Sequence, residues 1–362
     1  MNRSRARFGP VGFVGFVVFV VIMSITATAC AGSTKSAGAP PKTVVLMTHD
    51  SFAASPAVLA QFTRETGFKV KVLKSGDAGK ALSQALLVKD HPVADALFGV
   101  DNTFLTRALD NNLFAVYSAK GLDAVPERFR LDPKDRVTPI DSGAVCVNDD
   151  LAWFGHDGHP AVPKSLGDLA KPAYRKLLVM ENPATSSPGL AFVLATIGAF
   201  GTNGWHSYWQ ALRKNDVRVD DGWEQAYDTD FTAGGGSGDR PLVVSYATDP
   251  AADVVFSGGK KKTPTVGVVP GTCFGQIEFA GVLEHAHNPA GARALIDFML
   301  TRRFQEDIPL QMYVYPVIPT AKLPPVFVKY AAQPAHPFSL RASIIGSHRN
   351  AWIDEWTRIV LR

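Results

Sequence analysis

The residues best suited to bind a ligand lie between Glu181 and Pro250. Thr185, Ser186 and Ser187 directly precede Pro188 and an apolar helical run. A Ser or Thr cap followed by Pro in the first turn is typical of a helix N-terminus. Such an end offers unpaired backbone N–H groups and positive partial charge to a ligand oxygen. The pattern therefore predicts a polar cradle.

Two aromatic residues follow in the same segment. Trp223 begins a predicted helix, and Tyr246 ends a predicted buried strand. Together with the hydroxyl cradle, their ring faces predict a site for a small, flat ligand. No nucleophile–base pair accompanies them, so this segment does not indicate covalent catalysis.

Short apolar strands alternate with amphipathic helices along the rest of the chain. This alternation predicts an α/β fold, in which ligands bind beyond the carboxyl ends of the strands. Polar or aromatic side chains stand at several predicted strand ends, among them Asp50, Asp101 and Tyr246. The predicted strands span 44–50, 69–75, 94–101, 144–148, 177–182, 242–248 and 273–279.

The N-terminal residues indicate the compartment. Three arginines in the first seven residues precede an apolar run, and small residues then lead to Cys30. This order is typical of a lipoprotein secretion signal. We expect a signal peptide over 1–29, acylation of Cys30 and a flexible, lipid-anchored tether over 30–42. A plain transmembrane anchor is the alternative, because the apolar run is nearly long enough to span a bilayer.

The net charge and the cysteine content bear on whether the protein binds nucleic acid, forms a disulfide or holds zinc. The net charge is +4, and the predicted cleavage removes three arginines and no acid. No basic stripe remains, so we expect no nucleic-acid partner. The mature chain keeps Cys146 and Cys273 besides Cys30. An oxidising compartment allows this pair to form a disulfide, and its spacing does not match a zinc site.

Motifs in constant order along nearly the whole mature chain resemble the thiamine-binding proteins that serve bacterial ABC importers. The resemblance is strongest in ATSSPGLAF, GWEQAY and VVSYATDPA. The other matching stretches are THDSFAA (48–54), Gly76-Asp77, FGVDN (98–102), IDSG (140–143), PLQMYVYPV (309–317) and AWIDEWTRIV.

The resemblance implies a two-lobed fold of the periplasmic-binding-protein type, similar to type II, with a ligand cleft that closes by a hinge motion. Lobe one would comprise 43–143 and 273–362, and lobe two 144–272. The implied function is capture of thiamine or a thiamine phosphate and its delivery to an ABC permease. The implied protein is a monomer outside the cytoplasm. It has no catalytic residue, cofactor or metal, and it contacts the membrane through its lipid anchor only.

The matching positions imply carboxylates and rings that suit thiamine, a cation with two aromatic rings. Asp77 is expected to hold the aminopyrimidine or balance the positive charge, with Asp101 as second candidate. Trp223, Tyr246 and Tyr313 are expected to stack on the ligand, each cation–π contact contributing ~0.5–2 kcal/mol. Taken without the resemblance, Asp77 reads as a turn residue and each ring as core packing. We also expect Asp77 to lie in water when the cleft is empty.

Hydroxyl and imidazole groups complete the implied site. Ser186 and Ser187 are expected to receive the ligand's alcohol or a phosphate, although an ordinary helix cap explains them equally. His49 and Asp50 are the candidates to close over the pyrimidine from lobe one. The family often has Tyr in place of His49 and Trp in place of Tyr313. The imidazole would add pH sensitivity near neutrality.

Two proteins of similar fold compete with this interpretation. A type I thiaminase needs an activated Cys, for which Cys146 and Cys273 are the candidates. Both lie in apolar strands at the implied lobe crossings, where we expect them to form a disulfide. Glu278 on the second crossing strand keeps this alternative open. A ferric-ion receptor presents adjacent tyrosines, whereas this chain has only Tyr313 and Tyr315 one residue apart.

Overall fold

The computed structural model describes residues 42–362, and their strands form one mixed sheet. The order is β2-β1-β3-β8-β4-β7-β5-β6, with β9 paired to β4. The strands are β1 Thr43–Thr48, β2 Lys69–Lys74, β3 Ala96–Asp101, β4 Thr138–Asp150, β5 Leu178–Glu181, β6 Arg218–Asp220, β7 Leu242–Tyr246, β8 Val266–Val282 and β9 Tyr315–Pro316.

Helices separate most of these strands, and several begin with Pro in their first turn, where a missing N–H costs no hydrogen bond. A π-helix spans Gln225–Asp230. The α-helices are α1 Pro56–Thr66, α2 Ala78–Leu87, α3 Leu105–Asp110, α4 Leu151–Phe154, α5 Leu166–Leu169, α6 Ser187–Lys214, α7 Asp249–Phe256, α8 Pro289–Met299, α9 Arg302–Gln305, α10 Ile308–Gln311, α11 Pro325–Tyr330 and α12 Ala342–Val360.

Two long antiparallel strands, β4 and β8, connect two parallel groups of strands. On one side β1 pairs in parallel with β2 and β3, and β3 pairs with β8. On the other side β5 pairs in parallel with β6 and β7, and β7 pairs with β4. The predicted α/β class is confirmed. The strand ends of both groups approach the same central region.

The predicted bounds of β4 and β8 are wrong, because both strands are much longer than 144–148 and 273–279. Pro139 and Gly143 in β4, and the Pro270-Gly271 pair in β8, have the chemistry of turns, which hides the strands in the sequence. The two strands pair with each other along their length. The pairing shifts register between Pro139 and Asp141 and between Val145 and Val147, as it does where an extra residue forms a β-bulge.

The core is largest where α6 and α12 pack together. The rings of Trp209 on α6 and Trp356 on α12 meet edge to face at 5.6 Å, and both are fully buried. Gly201 interrupts the helical geometry of α6 with a φ of 67°, which a side chain would disfavour. Among residues 42–362, no helix is both long and apolar enough to cross a bilayer.

A disulfide joins the two long strands. Cys146 on β4 and Cys273 on β8 are bonded, with their Cα atoms 4.1 Å apart, and both side chains are buried. This is the pair anticipated from the sequence. Because 127 positions separate the two cysteines, the bond closes a long loop and restricts the unfolded chain accordingly. Cys30, the predicted acylation site, lies outside the described residues.

Candidate functional site

A cavity of about 710 Å³ opens at the centre of the molecule, where strand ends of both parallel groups meet. His49 and Asp50 reach it from the end of β1, and Tyr246 reaches it from the end of β7. The sequence-predicted residues that line this cavity are His49, Asp77, Ser187, Trp223, Tyr246 and Tyr313. The structure therefore brings together residues that lie more than two hundred positions apart in the chain.

Asp77 bridges two parts of the cavity wall. Its carboxylate accepts a hydrogen bond from the Ala78 N–H at 2.6 Å, as the N-cap of α2, and one from the Trp223 N–H at 2.9 Å. Burial raises the pKa of Asp77, although the Trp223, Ser186 and Ala78 donors favour its charged form. Asp77 is half-buried in the ligand-free structure, and backbone N–H groups already bond both carboxylate oxygens, so it is less hydrated than expected.

His49 forms an ion pair with Glu278 across the floor of the cavity. The His49 Nε2 atom lies 3.4 Å from a Glu278 carboxylate oxygen, and both side chains are largely buried. Burial lowers the pKa of His49, but Glu278, Asp77 and Asp50 outweigh burial, so the pKa lies above its usual value of 6.5. Glu278, Asp77 and Asp50 thus stabilise the protonated imidazole, whose charge balances part of the surrounding negative charge.

Aromatic rings form one wall of the cavity. The Trp223 ring stacks on Tyr227 with centroids 4.9 Å apart, and Tyr246 meets the Trp223 ring edge to face at 6.3 Å. The Trp223 indole N–H donates to Ser245 Oγ at 2.8 Å, which fixes the plane of the ring. Tyr313 packs against Phe256 at 4.9 Å instead of joining the Trp223 cluster. Flat apolar faces are thus available to a ring-shaped ligand.

The backbone is unusual at two of these aromatic positions. Tyr227 lies in the π-helix, a rare conformation that often occurs at functional sites. Tyr313 has a φ of 55°, in the left-handed region that side chains seldom adopt. Both residues reach the cavity. No signal in the sequence predicts either conformation, and Tyr227 is absent from the sequence-based set.

Asp249 is a cavity residue that the sequence analysis missed. Its carboxylate accepts hydrogen bonds from the Asn148 side-chain amide at 2.7 Å, the Tyr246 N–H at 3.1 Å and the Ser245 hydroxyl. Burial raises its pKa to about 7. The signal was present in the motif that ends in Thr248-Asp249-Pro250, because an Asp before Pro at a helix start follows the predicted strand.

Two predicted ligand residues do not line the cavity. Asp101 is fully buried, and its carboxylate accepts hydrogen bonds from the N–H and hydroxyl of Thr103 at 3.0 and 2.5 Å. Its role is to cap the turn after β3, and burial raises its pKa to about 7. Ser186 is the backbone N-cap of α6, but its side chain makes no capping bond. Its buried hydroxyl has no partner at hydrogen-bond geometry among the described residues. The hydroxyl nevertheless lies near Asp77 and favours the charged form of that carboxyl group.

The cavity is strongly acidic. Among residues 42–362, Lys74 is the only lysine in its wall, and His49 is the only other basic side chain there. A desolvated site with this charge favours a cationic ligand, and the rings add cation–π attraction. The acidic residues in the wall are Asp50, Asp77, Glu224, Asp228, Asp249, Asp253 and Glu278.

The geometry favours neither a thiaminase-like cysteine nucleophile nor a tyrosine site for ferric ion. Cys146 and Cys273 are bonded to each other and do not line the cavity, so neither offers a thiolate to a ligand there. Tyr313 lines the cavity, whereas the Tyr315 hydroxyl donates to the Ala331 carbonyl and lines a different one. Within the described part of the chain, no group of three or more His, Cys, Asp or Glu residues is arranged to hold a metal.

The chain is similar in sequence to a family of binding proteins and to individual members with known ligands. A family model described as bacterial extracellular solute-binding protein matches residues 91–335. The thiamine-binding periplasmic protein of Salmonella typhimurium is 29% identical over 324 residues, which cover 88% of this chain and 94% of that protein. The protein of the same name from Escherichia coli is 29% identical over 325 residues, with the same coverage of both chains.

Solved structures of similar fold cover nearly all of the described residues. A periplasmic thiamin binding protein aligns with a TM-score of 0.77 and 27% identity, over 90% of this chain and 98% of that chain. The apo ferric ion-binding protein A of Pasteurella haemolytica aligns with a TM-score of 0.69, over 88% of this chain and 98% of that chain. At 16% identity this second likeness concerns the fold alone. The predicted periplasmic-binding-protein fold is confirmed.

Proposed function

The chain belongs to the bacterial extracellular solute-binding protein family, and we propose that it captures thiamine in its central cavity and delivers it to an ABC import permease. The observation that carries this proposal is the combination of an acidic wall with stacked aromatic rings in one cavity. Thiamine combines a positive charge with two flat rings, and the relatives of this chain in Salmonella typhimurium and Escherichia coli are thiamine-binding periplasmic proteins.

The cavity residues divide between the parts of the ligand. Asp77 and Asp249 supply negative charge for the aminopyrimidine and the thiazolium, and Trp223, Tyr246 and Tyr313 supply ring faces. Ser187, at the first turn of α6, offers its hydroxyl to the alcohol of the hydroxyethyl arm. Lys74 is the only lysine that the described part of the chain places in the wall, and a diphosphate demands more positive charge. The ligand is therefore thiamine or its monophosphate.

The closing motion follows from the sheet. We assign 43–143 and 273–362 to lobe one and 144–272 to lobe two, with β4 and β8 as the hinge strands. The continuous pairing of these two strands supports the assignment. His49 and Asp77 belong to lobe one, and Trp223 and Tyr246 to lobe two. Closure of the lobes then encloses the ligand between residues of both.

The protein is proposed to act as a receptor and not as an enzyme. A bonded cysteine pair outside the cavity supports this assignment against a thiaminase-like activity. We place the protein outside the cytoplasm as a monomer held to the membrane by lipid on Cys30, through the 30–42 tether. Metabolic labelling with a tagged fatty acid tests the anchor: wild-type protein should carry the label and Cys30→Ala should not. An unlabelled wild-type protein would disprove the lipoprotein assignment.

Native mass spectrometry tests the ligand assignment directly. Protein purified from cells without refolding should retain a bound molecule, since a closed cleft releases a tight ligand slowly. The account predicts a mass difference equal to thiamine or thiamine monophosphate. A different co-purified small molecule would refute the proposed ligand while leaving the receptor class intact.

A further inference from the structure

A second cavity, of about 600 Å³, lies outside the proposed thiamine site. It is formed mainly by α3 and α12, with Ser83 of α2 and Ala184 at its edge. Two arginines line it, Arg107 on α3 and Arg349 on α12. None of its lining residues belongs to the wall of the central cavity.

A close approach of the two helices brings the arginines together. A Cβ atom on Gly346 of α12 would lie 3.0 Å from the Thr106 side chain on α3, so the two helices are in close contact at this glycine. Arg107 directly follows Thr106, and Arg349 lies one turn after Gly346. Arg349 is only 7% exposed, and its guanidinium lies 5.4 Å from the centre of the Phe104 ring.

Neither arginine has an acidic partner. Arg107 donates to the Ser83 hydroxyl at 3.0 Å, and Arg349 donates to the Asn350 side-chain carbonyl at 2.8 Å. Among residues 42–362, neither guanidinium forms an ion pair with a carboxylate, although Asp110 and Asp354 line the same cavity. Burial and the positive charge of Arg107 lower the pKa of Arg349 to about 10. The two cations repel each other in a partly desolvated space.

Such an arrangement is costly without a counter-charge. An uncompensated buried charge destabilises a protein, and among residues 42–362 each guanidinium donates to one protein acceptor although it carries five N–H donors. Planar guanidinium groups match oxyanions in pairs of parallel hydrogen bonds. Thr106 and Asn111 add polar groups to the same wall.

We propose that this cavity binds a tetrahedral oxyanion of the phosphate or sulfate class between Arg107 and Arg349. The anion neutralises both guanidinium groups and ties α3 to α12. Ser83 on α2 and Ala184, which directly precedes Thr185, also line this cavity. The proposal does not depend on the identity of the ligand in the central cavity.

Thermal unfolding in chloride buffer, with inorganic phosphate or sulfate added at constant ionic strength, tests the proposal. The unfolding temperature of the wild type should rise by about 2–6 °C at saturating phosphate. Arg107→Gln and Arg349→Lys should abolish most of this rise, because one loses a charge and the other loses the planar fork. Arg175→Gln is the matched control, since Arg175 is exposed and its side chain has no ion pair.

Stability without the anion separates a binding site from a structural contact. In chloride alone, Arg107→Gln should unfold at the same temperature as the wild type or higher, because it removes repulsion from Arg349. Calorimetry with phosphate should give one site per chain, weakened at least about tenfold in Arg107→Gln. An equal phosphate effect in all four proteins, or none in the wild type, would overturn the proposal.

Discussion

At the scale of single residues, Asp77 is both a helix cap and a residue of the cavity wall. Its carboxylate caps α2 and also receives the Trp223 N–H, so the same side chain joins two elements and faces the cavity. The sequence-based alternatives of a ligand carboxylate and a turn residue are therefore not exclusive. They differ in what happens when the charge is removed.

Replacing Asp77 by Asn should reduce thiamine affinity by ~2–4 kcal/mol, because the cation loses a buried counter-charge. Ligand-free stability should also fall, by ~1–3 kcal/mol, since the single amide oxygen cannot accept from both the Ala78 and the Trp223 N–H. Calorimetry and denaturant unfolding on the same preparation measure both quantities.

Asp228→Asn is the matched control for the charge change, because Asp228 also lines the cavity but is exposed. Its loss should weaken binding much less than the loss of Asp77. If Asp77→Asn lowers stability and leaves affinity unchanged, Asp77 serves only as a helix cap.

His49 gives the protein a defined pH response. Its pKa is raised above 6.5 in the folded state, mainly by Glu278 against the effect of burial. The folded protein therefore binds the proton more tightly than the unfolded chain does. This stabilisation is fully present below pH ~6.5 and is lost as the pH rises through the folded-state pKa.

The comparison of wild type with His49→Gln isolates that response. The advantage of the wild type in unfolding free energy should be greatest near pH ~6 and should shrink toward pH ~8.5. Asp101 and Asp141 lie nearby and also have raised pKa values through burial, but they are present in both proteins. In Glu278→Gln, NMR titration should show a lower pKa for His49. Identical pH profiles for wild type and His49→Gln would contradict this assignment.

At the scale of elements, the first turn of α2 approaches the turn before α6 unusually closely. The Lys80 N–H donates to the Thr185 carbonyl at 3.1 Å. A Cβ atom on Gly79 would lie 2.8 Å from that same oxygen and 2.8 Å from the Phe104 ring. Gly79 therefore permits a contact between the two proposed lobes without lining the cavity.

Gly79→Ala should hold the two elements apart. Overpacking at a close contact costs ~1–3 kcal/mol, which corresponds to a loss of thiamine affinity of about tenfold or more if this contact belongs to the closed, ligand-holding form. Gln84→Ala on the exposed face of α2 is the control, and it should change neither affinity nor stability. Calorimetry on both variants decides; unchanged affinity in Gly79→Ala would refute the role of this contact in closure.

The sequence predicts elements well where local chemistry and tertiary structure agree. The cap and the proline predict the start of α6, and the apolar run predicts β7, although β7 ends at Tyr246 and not at residue 248. The full lengths of β4 and β8 are not predicted, because long-range pairing carries both strands through Pro and Gly residues. The three-residue strand β6, with charged residues at both ends, has no apolar pattern to find.

At the scale of the whole molecule, the sequence predicts most of the residues that line the cavity, but not which strand-end side chains face it. Six of the eight expected ligand residues line it, because they stand at strand or helix ends that the fold collects in one place. Asp101 at the end of β3 and Ser186 at the start of α6 have similar positions, but both side chains are buried in the protein and do not line the cavity. Which side of a strand end meets the cavity depends on packing between distant segments, and local pattern carries no information about that.

The central claim is that one molecule of thiamine binds in the central cavity without being consumed. Isothermal calorimetry on the native, disulfide-bonded protein should give one site per chain and ~−9 to −12 kcal/mol, or a sub-micromolar to nanomolar Kd. Tyr246→Phe, which keeps the ring, should bind almost as well, and Trp223→Ala should bind much more weakly. No binding below ~100 μM, or release of free pyrimidine when a nucleophile is added, would contradict the account.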